Sequence, residues 1–280
     1  MANPHHDRKI RPYYDSDQYN SSTQEFVDLF RYRDLVWLMT INILRSRYKR
    51  SFFGILWMLL NPLLNTLVLA IAFSNIFRSS LPNYPIYVLS GLLIWNFMTQ
   101  SSTHAMNTMM YGGGSLLKRI YIPRTIYAVT SVGNGVVNLM VSLIVLFIIM
   151  LLWDHPFHNN LWFVGVAIIV TTTFMLGLSL ILSLSTAFFT DSIDIYGVVT
   201  QASFFLTPII YPLNLLPPQI QDLMLINPFY CFTEMFRIPI YSGIIPDSQI
   251  IMASLIYAIG FLAFGWILFT TNTHKIVYKI

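Results

Sequence analysis

Apolar residues in this chain come in long runs rather than in short alternating clusters. Six runs stand out: Phe53 to Phe77, Ile86 to Met110, Thr125 to Leu152, Leu161 to Phe189, Tyr196 to Pro212 and Ile250 to Thr270. A hydrocarbon layer about 30 Å thick takes roughly 20 residues of helix to cross, so each run predicts a transmembrane helix. The fifth is the shortest, and Pro208 and Pro212 near its end are expected to distort or stop it, because proline removes a backbone donor.

Two segments have a different pattern. Before the first run, residues 23 to 50 place Phe26, Leu29, Phe30, Val36, Trp37 and Ile43 at helical spacing among Arg31, Arg33, Asp34, Arg45 and Arg47. That arrangement predicts an amphipathic helix lying in the headgroup layer. It serves as a surface anchor, a docking element for a cytosolic partner, or both. Between the fifth and sixth runs, Leu215 to Ser242 is apolar but broken by Pro217, Pro218, Asn227, Pro228 and Pro239. No piece is long enough to cross, so two short re-entrant helices are expected. Such a pair is tolerated where its backbone is buried against protein, and it forms either an outer lid or a surface hairpin. Residues 1 to 22 are polar with no apolar core, which predicts a flexible cytosolic tail rather than a signal peptide. The expected fold is thus all-α: a polytopic membrane protein of six transmembrane helices (51–280), an N-terminal interface helix (23–50) and a re-entrant helix pair before the last span.

Composition supports this picture. Hydrophobic residues make up 55% of the chain and charged residues 10%, with a mean hydropathy of +0.61, against about 45–50% and about 25% in a soluble domain. Charge then sets orientation. With the N-terminus inside, all of the 16 Lys and Arg except Arg78 and Arg237 fall on the cytoplasmic side, as the positive-inside rule requires. Both termini are therefore expected in the cytosol. The lone Cys231 can form no intrachain disulfide and is read as a packing residue.

The chemistry that is missing also narrows the function. No Asp, Glu, Lys or Arg lies mid-span, which argues against ion coupling. His104 has Gln100 and Thr103 nearby and suits an interhelical hydrogen bond. No paired carboxylates, metal cluster or nucleophile with its base suggests catalysis. Gly112 to Gly114 followed by Lys118 do not match a phosphate-binding loop. A pump built on this chain needs an ATPase on another polypeptide. The basic loop Ser115 to Arg124 and the acidic turn Thr190 to Asp194 face the same side and could receive one, although positive-inside anchoring alone explains the former. Aromatic residues make up 15% of the chain, and their faces stack on sugars or anchor helices. Asn61, Asn65 and Asn96 add polar edges that either join helices or line a polar route.

At Arg47 to Trp57, followed by Asn61-Pro62, the chain resembles the entry to the first span in type-2 ABC permeases that export O-antigen, capsule and teichoic-acid polymers. Phe53 stands where that family usually has Leu. Phe188 to Asp194 resembles the family's Phe-Phe-Arg-Asp turn with Thr190 in place of Arg, and Thr207 to Tyr211, Leu216 to Pro218 and Asn227-Pro228 form a third match. The resemblance spans nearly the whole chain after about Thr23. It implies a permease subunit, not itself an enzyme, that moves lipid-linked polysaccharide from the cytosol across a bacterial or archaeal cytoplasmic membrane. The implied assembly is a homodimer with two copies of a nucleotide-binding ATPase, which would hold ATP and Mg. No cofactor or metal is expected on this chain, and the expected partners are lipid-linked glycan and membrane lipids, not nucleic acid.

The resemblance also assigns roles to particular residues. It makes Arg45, Arg47, Tyr48, Arg50, Gly54 and Trp57 a substrate portal, and Phe73, Phe204, Phe205 and Tyr211 channel aromatics between the first and fifth spans. Lys118, Arg119, Arg124, Asp191 and Asp194 would couple to the ATPase, and Pro217, Pro218, Asn227 and Pro228 would shape the outer lid. The alternatives are a type-2 ABC exporter of drugs or lipids, a membrane-embedded lipid-modifying enzyme, and a scaffold protein.

Overall fold

The computed structural model describes residues 22–48, 51–77, 82–112 and 123–277. The expected tail before Ser22, and Arg50, Lys118 and Arg119, lie outside the described residues. Those described contain no strand. The helices in order are α1 (Ser22–Arg31), α2 (Arg33–Tyr48), α3 (Trp57–Phe77), α4 (Tyr84–Asn107), α5 (Thr125–Leu152), α6 (Phe163–Phe188), α7 (Ser192–Leu206), α8 (Pro218–Leu223), α9 (Pro228–Tyr241) and α10 (Ser248–Val277).

By length and composition, three helical stretches are able to cross a membrane: Thr125–Leu152, Asn159–Phe188 and Ser248–Asn272. These correspond to the third, fourth and sixth apolar runs. The first run differs at its start. Its helix begins at Trp57, after a 3-10 turn at Gly54–Leu56, and its shorter apolar stretch is Trp57–Phe73. The second run forms α4, which is long enough at 24 residues but polar in its second half, from Asn96 through Thr99, Gln100 and Ser101 to His104. The physical reason is position. α4 packs against α3, α5, α6, α7 and α9, and Ile86 through Trp95 are all buried, so much of this helix faces protein rather than lipid and can carry polar groups that pair internally.

The fifth run begins earlier and ends sooner than its apolar pattern suggests. α7 spans 15 residues, about 22 Å at the helical rise, and stops at Leu206. Thr207 then turns extended with φ −92° and ψ 130°, as the residue before a proline is driven to do.

The predicted single N-terminal helix is two helices joined at Tyr32. α1 rests on α5 and α10, with the Phe26 ring 5.8 Å from that of Trp266, and α2 packs on α5. Between α6 and α10 the backbones themselves meet: a β-carbon at Gly177 would lie 2.3 Å from the Phe261 carbonyl, and one at Gly265 would lie 2.4 Å from the Gly177 oxygen. Only glycine permits that approach. Phe174 completes the contact, with ring centroids 4.5 Å from Phe232 on α9 and 5.0 Å from Phe261 on α10.

Candidate functional site

Two cavities flank α3. One, of about 500 Å³, lies between α3, α4 and α5. The other, of about 550 Å³, lies between α3, α4 and α7. Asn65 and Asn96 line both. Helical spacing explains the shared wall. Asn61 and Asn65 are one turn apart on α3 and Asn96 and Gln100 one turn apart on α4, so each pair points from one face. Asn138 of α5 joins them in the first cavity and Gln201 of α7 in the second. Trp57 and Phe97 border the first; Trp95, Phe204 and Phe205 border the second, with Trp95 meeting Phe204 edge-on at 5.5 Å. No residue lining either cavity is ionisable.

Beside the first cavity lies a pocket of about 10 Å³, walled by Gln100, His104, Ser131, Asn134, Gly135 and Asn138. That is about one water in size. The Asn138 amide donates to Gln100 Oε1 at 3.0 Å, and His104 Nδ1 lies 3.3 Å from Ser131 Oγ on α5 and 3.0 Å from Thr108 Oγ1. The histidine therefore makes the interhelical bond its neighbours suggested. The side-chain oxygens of Asn134 and Asn138 have no hydrogen-bond partner.

The residues expected at a portal divide between two places. Trp57 lines the first cavity, which Ser51, outside the expected set, also borders. Gly54 sits in the turn just before, at φ +51°, a conformation glycine adopts without strain. Arg45 is exposed on α2, and Arg47 and Tyr48 occupy the last turn of that helix. Of the expected channel aromatics, Phe204 and Phe205 line the second cavity, whereas Phe73 packs against the core. Tyr211 lies beyond the end of α7, where its hydroxyl donates to the Phe205 carbonyl at 2.7 Å. Asp191 and Asp194 are exposed at the start of α7. Arg124 precedes α5, and its charge acts on the buried Glu25 of α1, whose carboxyl burial pushes up to about 7.

On the opposite side of the turn at Thr207, Pro218 and Pro228 occupy first-turn positions of α8 and α9, and Pro217 precedes α8. Asn227 caps α9: its Oδ1 accepts from the Phe229 amide at 3.0 Å while its Nδ2 donates to Thr207 Oγ1 at 3.0 Å. α9 is thereby tied to the end of α7.

Arg237 is the residue the sequence reading passed over, as one of two cations left outside. It is 1% exposed. Its guanidinium donates to the Pro208 carbonyl at 2.7 Å and the Ile209 carbonyl at 3.2 Å, pairs with Glu234, and stands 4.0 Å over the Tyr87 ring. The Tyr84 and Tyr87 hydroxyls donate to the Ile210 and Tyr211 carbonyls at 2.9 and 3.1 Å. Carbonyls released where α7 ends are thus taken up by α4 and α9. The available signal was the Glu234 to Arg237 spacing on one helix face downstream of Pro208.

Long apolar helices with uncharged polar cavities between them are those of a helical membrane protein. The model of the ABC-2 type transporter family matches residues 34–241, and the chain belongs to that family. It is similar to two O-antigen export system permease proteins named RfbA. That of Myxococcus xanthus is 28% identical over 236 residues, covering 81% of this chain and 87% of the relative. That of Klebsiella pneumoniae is 25% identical over 230 residues, covering 82% and 87%. The polysialic acid transport protein KpsM of Escherichia coli is 19% identical over 235 residues, covering 82% and 90%.

Proposed function

We infer that this chain is the permease subunit of a type-2 ABC exporter for O-antigen-like or capsule polysaccharide. The observation that carries the reading is the pair of uncharged cavities beside α3, bordered by Trp57 at one end and by Phe204 and Phe205 at the other. Carboxamides hydrogen-bond to hydroxyls and aromatic faces stack on sugar rings, so the lining matches a glycan. The names of the related permeases support the same cargo.

The finer assembly belongs to the same proposal. The chain spans the cytoplasmic membrane six times, with α3, α4 and α7 as the first, second and fifth spans, and both termini are cytosolic. α1 and α2 lie at the inner surface, where exposed Phe30, Trp37 and Leu38 meet lipid. The segment from Pro217 to Tyr241 is a re-entrant outer lid. Two copies of the chain pair with two copies of an ATPase that holds ATP and Mg and pushes on the loops containing Lys118, Arg119, Arg124, Asp191 and Asp194. Arg45, Arg47 and Arg50 receive the phosphate of the lipid carrier at headgroup depth, and the glycan then passes Trp57. A teichoic-acid polymer would fit the same scheme.

Deleting the gene is the test. Surface polysaccharide should be lost and lipid-linked polymer should accumulate inside, with both restored by the intact gene. Unchanged surface polysaccharide would overturn the reading, and export of small hydrophobic compounds in its place would favour a drug or lipid exporter.

A further inference from the structure

We propose that Arg237, Tyr84 and Tyr87 are positioning residues for transport: together they hold the turn Thr207 to Tyr211 across the outer end of the pathway and keep it closed at rest. The proposal rests on the export reading above and adds the groups that set its resting seal. The turn follows the last residues of α7, of which Phe204 and Phe205 line the second cavity. Thr207, Pro208 and Ile209 are buried. α4 approaches them closely: a β-carbon at Gly91 would lie 3.2 Å from the Ile209 side chain and 3.3 Å from its carbonyl oxygen.

Four successive carbonyls of that turn are each held by a side chain from another element. Arg237 of α9 donates to those of Pro208 and Ile209 at 2.7 and 3.2 Å, Tyr84 of α4 to that of Ile210 at 2.9 Å, and Tyr87 of α4 to that of Tyr211 at 3.1 Å. Asn227, at the start of α9, adds its bond to Thr207 Oγ1. Glu234 and the Tyr87 ring in turn orient the guanidinium. Tyr87 therefore serves both the arginine and the turn, and the three holders act as one unit.

The ordinary alternative is that buried carbonyls need partners in any fold. Exposed turns meet that need with water, and helix ends meet it with local caps. Here the donors stand 124 and 126 positions upstream and 28 and 29 downstream of the carbonyls they bind. The turn is thus fastened to two separate helices and shifts only if those bonds break. α8 is held differently: Ile220 and Leu223 are exposed, and the helix packs chiefly on the turns adjoining it. Of these two parts of the outer segment, the one beside the second cavity is the one made rigid.

The test uses the full chain with its ATPase in proteoliposomes without nucleotide, loaded with sucrose and with a dextran too large for either cavity. The native protein is expected to retain both. Y84F/Y87F keeps the rings and loses two hydrogen bonds, which shifts a held turn toward release by about thirtyfold, or about 2 kcal/mol. Sucrose should escape faster by that factor while the dextran stays. R237M/E234L should leak sucrose as well, although E234L recovers part of the stability lost in R237M. A Y84F/Y87F protein of native melting temperature that retains sucrose as the native one does would overturn the proposal. So would an R237M/E234L protein whose seal returns with its stability, the result of a merely structural role, and so would escape of the dextran along with sucrose. Should Y84F/Y87F melt early, Y84F alone is read in its place, with an expected effect of about fivefold. Each contrary result leaves the export reading standing if the gene deletion still abolishes surface polysaccharide; a deletion without that effect removes both.

Discussion

A guanidinium with 1% of its surface exposed must be paid for by its partners, and Arg237 has four: two carbonyls, a carboxylate and an aromatic face. Removing one member of a buried pair costs about 3–5 kcal/mol because the other is left uncompensated. R237M should lower the stability of the detergent-solubilised protein by about that amount, read as a fall in melting temperature, and E234L added to it should recover part of the loss. Glu25 offers a pH-dependent case. Burial raises its carboxyl from an ordinary 4.5 to about 7, with Asp28 adding to the rise and Arg124 opposing it. The folded state therefore holds more protons than the unfolded chain between those values. Docking of α1 is fully favoured below about 4.5 and weakens as pH rises through about 7. Trp266 emission, which reports Phe26 against α10, should follow that change, and Glu25→Gln should flatten it. Neither residue announces itself in the sequence, where Arg237 is one of two cations left outside, in an apolar segment broken by prolines, and Glu25 one more acid in a first helical turn.

At the scale of elements, the backbone contact between α6 and α10 admits no side chain. G177L should separate the two helices and cost about 1–3 kcal/mol as overpacking does, whereas G260L, on α10 with nothing within 4 Å of its β-carbon, should be tolerated. Thermal unfolding of the two variants side by side distinguishes them. The cap of α9 is a second element-level device. N227A removes both the bond to the Phe229 amide and the tie to Thr207, and a loss of about 0.5–2 kcal/mol is expected from the cap alone. Apolar runs announced α5, α6 and α10 because those helices have faces turned to lipid. They were a poorer guide to α4 and α7: α4 packs against five neighbours and turns polar in its second half, and α7 ends where the proline at 208 forces Thr207 out of helix.

For the whole molecule, orientation and assembly are accessible through the lone thiol. Cys231 is buried, so the native protein should resist maleimide, and single introduced cysteines should report cleanly. D191C is expected to react only from the cytosolic side and D222C only from the outer side; labelling of both from one side would contradict the topology. Composition and run length are summed properties of the chain, so they could determine by themselves that it is a helical membrane protein, and ordered local motifs could point to its family. The cavity-lining carboxamides and the buried arginine are different in kind. Asn61 and Asn65 share a helix face that sequence spacing can display, but Asn96, Asn138 and Gln201 come from other helices, and periodicity gives a face without naming what it faces. Only the packing of α4 against α3, α5 and α7 decides that these side chains line the two neighbouring cavities. In the same way, only the chain reversal after α7 brings free carbonyls within reach of a guanidinium 29 positions beyond Pro208.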